Sequence, residues 1–216
     1  MTADVRVAVI DDHAMVRDGL MALLSNDERI TVVGSAGSVA EAADALGRWQ
    51  PQVLVVDDQL PDGQGTDLAR LAIEQLDDCS VLIISGADRR RAIEDAIDAG
   101  CAGFLSKGLG VEQLADAVMA VAQGASVFPA NALQARIASA DRTPVLTDRE
   151  VEVLALLGSM YAPSEVGREL AISVHTVRNH IRSILAKLGA RSQLEAVVLG
   201  VQRGLIELPS ADHDEP

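Results

Sequence analysis

Five short apolar runs punctuate the first 125 residues of this chain: VRVAVI (5–10), ITVVGS (30–35), QVLVVD (52–57), SVLIIS (80–85) and AGFLS (102–106). Each is followed by a stretch with apolar residues at helical spacing, over 13–25, 38–49, 65–76, 88–99 and 111–123. Runs this short and this rich in β-branched residues read as strands covered on both faces. A chain that alternates such strands with amphipathic helices is confined to a parallel sheet with helices on both sides and right-handed crossovers. The expectation for residues 1–125 is an α/β fold, a five-stranded doubly wound parallel sheet of flavodoxin-like type.

The rhythm stops near Phe128–Pro129. Residues 126–145 read as a linker that includes a short helix over 130–140, and no strand pattern follows Leu146. Thr147 and Glu150 have capping-box spacing at the start of a helix running to about Gly158. Pro163 suits the first position of a short helix, PSEVGREL, and Ser173 caps a longer one, VHTVRNHIRSILAKL, closed by Gly189. Ser192 and Glu195 open a last helix. Residues 146–208 are expected to form a small all-α helix-turn-helix domain, with a disordered acidic tail over 209–216.

The net charge of −14 hides an asymmetry: residues 1–128 carry −12, whereas 146–208 are neutral. That imbalance separates two domains with different partners. No apolar run approaches the roughly 20 residues needed to cross a bilayer. The N-terminal MTADVRVAVIDDH lacks the basic start and long apolar stretch of a signal peptide. Cys79 and Cys101 form no CxxC pair and fit buried thiols in a reducing compartment. The histidines (13, 175, 180 and 213) show no metal-site spacing. A cytoplasmic protein without membrane association is expected.

Ligands of parallel sheets bind beyond the carboxyl ends of the strands. At those ends this sequence places Asp11 and Asp12, Asp57, Ser85 and Lys107, from the first, third, fourth and fifth strands respectively. Clustered carboxylates repel one another and need a cation, and an oxygen-rich site that keeps its waters suits Mg2+. A hydroxyl and a lysine beside them complement the oxygens of a transferred phosphoryl group, which a carboxylate can accept as an acyl phosphate. One aspartate after a strand is more often a turn former, but five suitable residues at matching strand ends are hard to assign to turns. Asp58 is read as a solvated charge without a role.

Residues 1–123 resemble the receiver domain of bacterial two-component response regulators, with Asp11 and Asp12, Asp57 followed by Pro61, Ser85 and Lys107 in the family's places. The resemblance implies that Asp57 is phosphorylated by a sensor histidine kinase. It implies a Mg2+ ion held directly by Asp12, through water by Asp11, and by Asp57 and the carbonyl of Gln59. It also implies a switch in which the Ser85 hydroxyl swings to the phosphoryl group, neutralised by Lys107, while Phe104 turns inward. A plain core role for Phe104 fits the pattern equally well.

In SVHTVRNHIRSILAKLG the charged residues are Arg178, Arg182 and Lys187, with no acid. Val177, Ile181, Ile184, Leu185 and Leu188 fall on one helical face, leaving His175, Arg178, Asn179 and Arg182 outward. Arg can bond guanine and Asn adenine in the major groove. Periodicity by itself leaves an ordinary amphipathic helix equally open. Residues 146–200, with LTDREVEVL and SVHTVRNHIRSILAKLG, resemble the LuxR-type DNA-binding domain of the NarL/FixJ regulators. This second resemblance implies a partner in double-stranded DNA, with Arg178, Asn179 and Arg182 on bases and Thr176, Lys187 and Arg191 on phosphates. A homodimer on DNA would pair through Leu194, Val197, Val198 and Val201. Met160 stands where the family has glycine; Gly167 stands where it has alanine, and should loosen its helix by about 1 kcal/mol.

The expected function is a phosphorylation-switched transcription regulator, and not an enzyme. An aspartate-nucleophile phosphatase would want an acid two residues after Asp57, where Gln59 stands, and no GxxxxGK[ST] loop supports a nucleotide hydrolase. A DNA-binding protein whose acidic pocket gates dimerisation without phosphorylation stays open. The acidic first half is expected to dock on the basic helix and mask Arg178 and Arg182 until Asp57 is modified.

Overall fold

A computed structural model describes residues 4–76, 78–86, 90–108, 111–129, 146–190 and 192–207. Arg191, the connection over 130–145 and the acidic tail lie outside the described residues. The first domain runs β1 (Val5–Ile10), α1 (Ala14–Ser25), β2 (Ile30–Ala36), α2 (Val39–Trp49), β3 (Val53–Asp57), β4 (Gln59–Leu60), β5 (Gly63–Gln64), α3 (Gly65–Gln75), β6 (Ser80–Ser85), α4 (Arg90–Asp98), β7 (Gly103–Ser106) and α5 (Val111–Ala122). The sheet order is β2-β1-β3-β6-β7, with every neighbouring pair parallel. The expected doubly wound sheet is present.

Alternation along the strands divides the core. Ala8, Ile10, Leu54, Val56, Val81 and Ile83 pack against Leu46 of α2, Leu68 of α3 and Ile97 of α4. Val7, Val9, Val55, Leu82 and Ile84 face the opposite way, onto Leu24 of α1 and Val118 and Val121 of α5. Strands β3 and β6 are buried throughout, as their unbroken apolar runs require.

Several local features were not legible in the pattern. Between β3 and α3 the chain makes a tight antiparallel hairpin, β4 against β5, and the Asp62 carboxylate at its tip accepts the Val39 and Ala40 amides at 2.8 and 2.9 Å. By contrast, Ser38 and Glu41 stand at capping-box spacing in the sequence, and Ser38 caps α2 accordingly, accepting from the Glu41 amide, while the Glu41 carboxylate takes the Gly37 amide. Past α5, Val127 bridges to the edge of β7: its amide donates to Ala102 and its carbonyl accepts from Phe104. Asp58, expected in solvent, is 7% exposed, and its amide donates to the Ile84 carbonyl.

The second domain comprises α6 (Asp148–Gly158), α7 (Pro163–Glu169), α8 (Val174–Leu188) and α9 (Gln193–Gln202). Thr147, Ser173 and Ser192 cap as their positions anticipate, and Gly189 closes α8 at φ 70°. Val153, Leu154, Val166, Val177 and Ile184 form the centre of its core. Met160 holds φ 67°, which explains why glycine suits that place. Gly167 is more than a helix weakener: a Cβ there would lie 2.9 Å from the Ile172 carbonyl oxygen, where the turn crosses it.

One expectation is corrected here. Lys187, read as a phosphate contact, is buried and donates to Glu150 Oε2 at 2.7 Å; the side chains are 2% and 3% exposed. Ser183 donates to the other oxygen of the same carboxylate, and the Thr147 amide also donates to Oε2. Lys187 therefore ties α8 to the N-terminus of α6 and has no path to a phosphate. Because a buried charge left alone is costly, Lys187→Ala should destabilise the helical domain by roughly 3–5 kcal/mol, while Lys187→Met combined with Glu150→Leu should cost far less. Thermal denaturation of the three proteins checks this. Gly65 makes the second stability prediction. A Cβ there would stand 2.2 Å from the Asp57 carbonyl oxygen, so Gly65→Ala should lose about 1–3 kcal/mol, read in the unfolding of the first domain.

Candidate functional site

Beyond the carboxyl ends of β1, β3, β6 and β7 lies a cleft of about 380 Å³, lined by Asp12, His13, Asp57, Ser85 and Lys107 among others. β1 delivers Asp11, which is fully buried, and β3 delivers Asp57, 6% exposed. Lys107, beyond β7, reaches back with Nζ 2.7 Å from Asp11 Oδ2 and 2.7 Å from Asp57 Oδ2. Asp12 is more open, with its side chain 34% exposed. Ser85 closes β6 and is buried, and Gln59 follows Asp57 on the hairpin, its amide donating to the Asp57 carboxylate. The seven residues expected here are thus disposed around one cleft, with one exception of placement. Phe104 is already packed inward in the core at 1% exposure, and as a phenylalanine it has no hydroxyl to hold it out.

The electrostatics follow from burial. Burial raises the pKa of Asp57, opposed by the Lys107 ammonium bonded to it and reinforced by the neighbouring Asp11. For Lys107, burial pulls downward but the bonds to Asp11 and Asp57 outweigh it, so the amine stays firmly charged. One ammonium is thus shared by two of the three carboxylates and offsets the charge of only one. Asp11 Oδ2 has that ammonium beside it yet no hydrogen bond of good geometry. Ligand atoms of Asp11, Asp12, His13 and Asp57 all lie within 4.8 Å of one another. A surplus of negative charge, carboxylate oxygens and a solvent-open mouth fit a hydrated dication. His13 was missed from the sequence: it lacks paired-ligand spacing, and its only signal is that it follows two acids directly.

The base-reading candidates lie on α8, and the first domain covers two of the three, Asn179 and Arg182. Asn179 Nδ2 donates to the Cys79 carbonyl at 3.1 Å, and its Oδ1 accepts from Arg182 Nη2 at 3.0 Å and from Ser80 Oγ at 3.4 Å. Arg182 Nε donates to the Gly124 carbonyl at 3.0 Å, and burial draws its guanidinium down to about 10. His175 Nε2 lies 3.4 Å from Ser80 Oγ, and Ser173 donates to Asp78 at 3.0 Å. Burial lowers the pKa of His175, against the pull of Asp78. Ala186 continues the same stripe onto the core of the first domain. Arg178 remains exposed, and Thr176 is 6% exposed with its hydroxyl 3.0 Å from that of Ser173. The expected masking thus covers Arg182 and Asn179 but spares Arg178. Nor is it a matter of net charge: among the described residues, the first-domain groups meeting Arg182 and Asn179 are carbonyls and a hydroxyl, and Asp78 meets Ser173 and His175 instead.

On α9, Leu194, Val198 and Val201 stand open to solvent, 73%, 45% and 39% exposed, while Val197 packs onto its own domain. Among the described residues no helix is long and apolar enough to cross a membrane.

Comparison with known proteins agrees with this geometry. Residues 7–119 match the response regulator receiver domain, and residues 144–199 match the bacterial regulatory proteins of the luxR family. The chain is 36% identical over 205 residues to the DNA-binding transcriptional activator DevR/DosR of Mycobacterium tuberculosis, covering 92% of this chain and 94% of that one. It is 30% identical over 207 residues to the response regulator protein VraR of Staphylococcus aureus, covering 94% and 99%. Among solved structures, response regulator ChrA of a heme-sensing two-component system is 33% identical with a TM-score of 0.51, over 94% of this chain and 100% of that one. A sheet that gathers acids and a lysine at one end, joined to a helix-turn-helix domain, thus has a family: this chain belongs to the DNA-binding transcriptional response regulators, with a receiver domain followed by a LuxR-type domain.

Proposed function

We propose that Asp57 is the phospho-acceptor, that a sensor histidine kinase is its donor, and that modification frees α8 to bind double-stranded DNA in the cytoplasm. The observation that carries this is Lys107 bridging Asp11 and Asp57 in an open cleft, with the Ser85 hydroxyl at its edge. An Asp57 carboxylate oxygen attacks phosphorus, an O–P bond forms, the N–P bond to the kinase imidazole breaks, and that ring leaves with the electron pair. Asp12, Asp57 and the Gln59 carbonyl would hold Mg2+, with Asp11 acting through water. Bound there, the ion would neutralise charge on the phosphoryl oxygens and keep Asp57 ionised against the effect of burial. Lys107, now spanning two carboxylates, is placed to exchange Asp57 for a phosphoryl oxygen, and Ser85 to donate to another.

Release concerns the covered face of α8. Arg182 and Asn179 spend on receiver carbonyls and a serine the same donors and acceptor that guanine and adenine edges would take. A protein docked in this way binds DNA only from its undocked fraction, so a modest shift in that equilibrium changes affinity directly. Arg178, Asn179 and Arg182 are the base contacts of this proposal, and Thr176 and Arg191 its phosphate contacts. Leu194, Val198 and Val201 give a second copy an apolar surface on adjacent half-sites.

Two outcomes are expected. Acetyl phosphate with Mg2+ should label the wild type and leave Asp57→Asn unlabelled on phosphate-affinity electrophoresis; equal labelling removes Asp57 as acceptor. A fragment beginning at Pro144 should bind one DNA site more tightly than the unmodified full chain at fixed salt, and acetyl phosphate should close the gap. Equal or weaker binding by the fragment would leave dimerisation, rather than unmasking, as the means of activation.

A further inference from the structure

We propose that Asp62 is a positioning residue of the receiver cleft: by bonding across to α2 it fixes the hairpin wall that carries Gln59. This rests on the Asp57 and Mg2+ reading above. The β4–β5 hairpin forms one wall of the cleft, which Gln59, Leu60 and Pro61 line directly after Asp57 and Asp58. Two rungs, Gln59 with Gln64 and Leu60 with Gly63, tie its arms together. Asp62 stands at the tip, and both of its carboxylate oxygens leave the hairpin. Oδ1 accepts the Val39 amide at 2.8 Å and Oδ2 the Ala40 amide at 2.9 Å, 23 and 22 positions away in the chain. The Ala40 amide, then that of Val39, holds the Asp62 carboxyl below the usual carboxylate range.

Neither element needs this contact for its own sake. Helix α2 already has a cap in Ser38, whose hydroxyl oxygen accepts the Glu41 amide at 3.1 Å, and the hairpin already has Leu60 in the core. What Asp62 adds is a tie between the two, with one carboxylate across the first two amides of an 11-residue helix. Charge-assisted bonds and the helix dipole act together there. The other arm is held separately: the Asp67 carboxylate takes the Gln64 amide at 3.0 Å, and the Gly65 amide donates to the Asp58 carbonyl at 3.0 Å. Gln59 lies between these ties. Its amide donates to the Asp57 carboxylate, and its carbonyl is the backbone ligand of the proposed site. A backbone carbonyl cannot be brought into line by rotating a side chain, so its place depends on where the hairpin is held. Outer partners that orient a ligand typically govern metal affinity by roughly 10–100-fold.

The test compares Asp62→Ala, Asp62→Asn and Ser38→Ala in the full chain. Asp62 is exposed, so its replacement leaves no cavity, and circular dichroism shows that each variant folds. Mg2+ binding is followed by amide shifts in nuclear magnetic resonance. Acetyl phosphate labelling gives the Mg2+ concentration for half-maximal rate separately from the rate at saturating Mg2+. Asp62→Ala should weaken Mg2+ by roughly tenfold in both measurements, the lower end of the range for a lost outer partner. Asp62→Asn keeps one acceptor oxygen and should recover part of that loss. Ser38→Ala removes a cap from the same helix without touching the hairpin, and should leave Mg2+ affinity at the wild-type level. Equal weakening by Ser38→Ala would make Asp62 a stabiliser of α2 alone, and unchanged affinity in Asp62→Ala would mean that the wall holds without it; each overturns the proposal. If the wild type neither binds Mg2+ nor is labelled, the reading of the cleft itself fails, an outcome distinct from the other two.

Discussion

Two buried carboxylates and one ammonium set the terms for the receiver half of this molecule. Asp11 and Asp57 ride to the same end of the sheet on adjacent strands, and Lys107 spans them at 2.7 Å each. At such separations like charges repel by a few kcal/mol even at an effective dielectric near 20. The arrangement is stable because a strand from the far side of β6 supplies the counter-charge, which requires the sheet order β1-β3-β6-β7. The same requirement leaves the cleft short of positive charge by design of its donors: three acids and one lysine have room for a dication, then for a dianionic group. Gly65 and the hairpin that follows Asp57 serve this geometry, since α3 must start almost on top of the Asp57 carbonyl.

The second constraint is distance. Ser85 and Ser80 are the two ends of β6. The first borders the acidic cleft and the second touches Asn179 and His175 of α8. Five residue steps at about 3.3 Å place these ends roughly 16 Å apart. Helix α8 is thus held at the end of the sheet opposite to the acidic cleft. Coupling through β6 itself would have to move a strand buried along its whole length. The flanking elements are better suited: α4 and the turn after α5 contact α8, and Val127 in that turn is bonded to the backbone of Phe104. Interfaces of this size and polarity within a chain are shifted by small changes in their partners.

The third is the double use of one helical face. Asn179 and Arg182 carry the donors and acceptor that would read base edges under the proposed function, and in the docked structure those same atoms are satisfied by receiver carbonyls and a hydroxyl. Carbonyl oxygens suit this because they accept without adding charge, so the release proposed above would break no strong ion pair at Asn179 or Arg182. The buried Glu150–Lys187 pair, by contrast, joins two helices of the helical domain itself.

The strand and helix pattern of this chain was legible almost residue by residue, because buried parallel strands are continuous apolar runs and their helices carry a single apolar stripe. The same patterns put Asp11, Asp12, Asp57, Ser85 and Lys107 at strand ends, so the receiver cleft was legible too. Lys187 was misjudged because periodicity places a lysine on a face without saying what faces it: only the fold brings Glu150, 37 positions away, to meet it. Asp58 was misjudged for the same reason. Masking of Arg178 and Arg182 was anticipated from net charge, but the register was settled by Cys79, Ser80 and Gly124, whose backbone groups and hydroxyl carry no sequence signature, and it covers Arg182 with Asn179 while leaving Arg178 exposed. Sequence alone determined what lies along each element, since that follows from local periodicity and charge. Which side chain meets which partner across elements was decided only by the tertiary structure, because such contacts depend on packing angles and distances that no local pattern encodes.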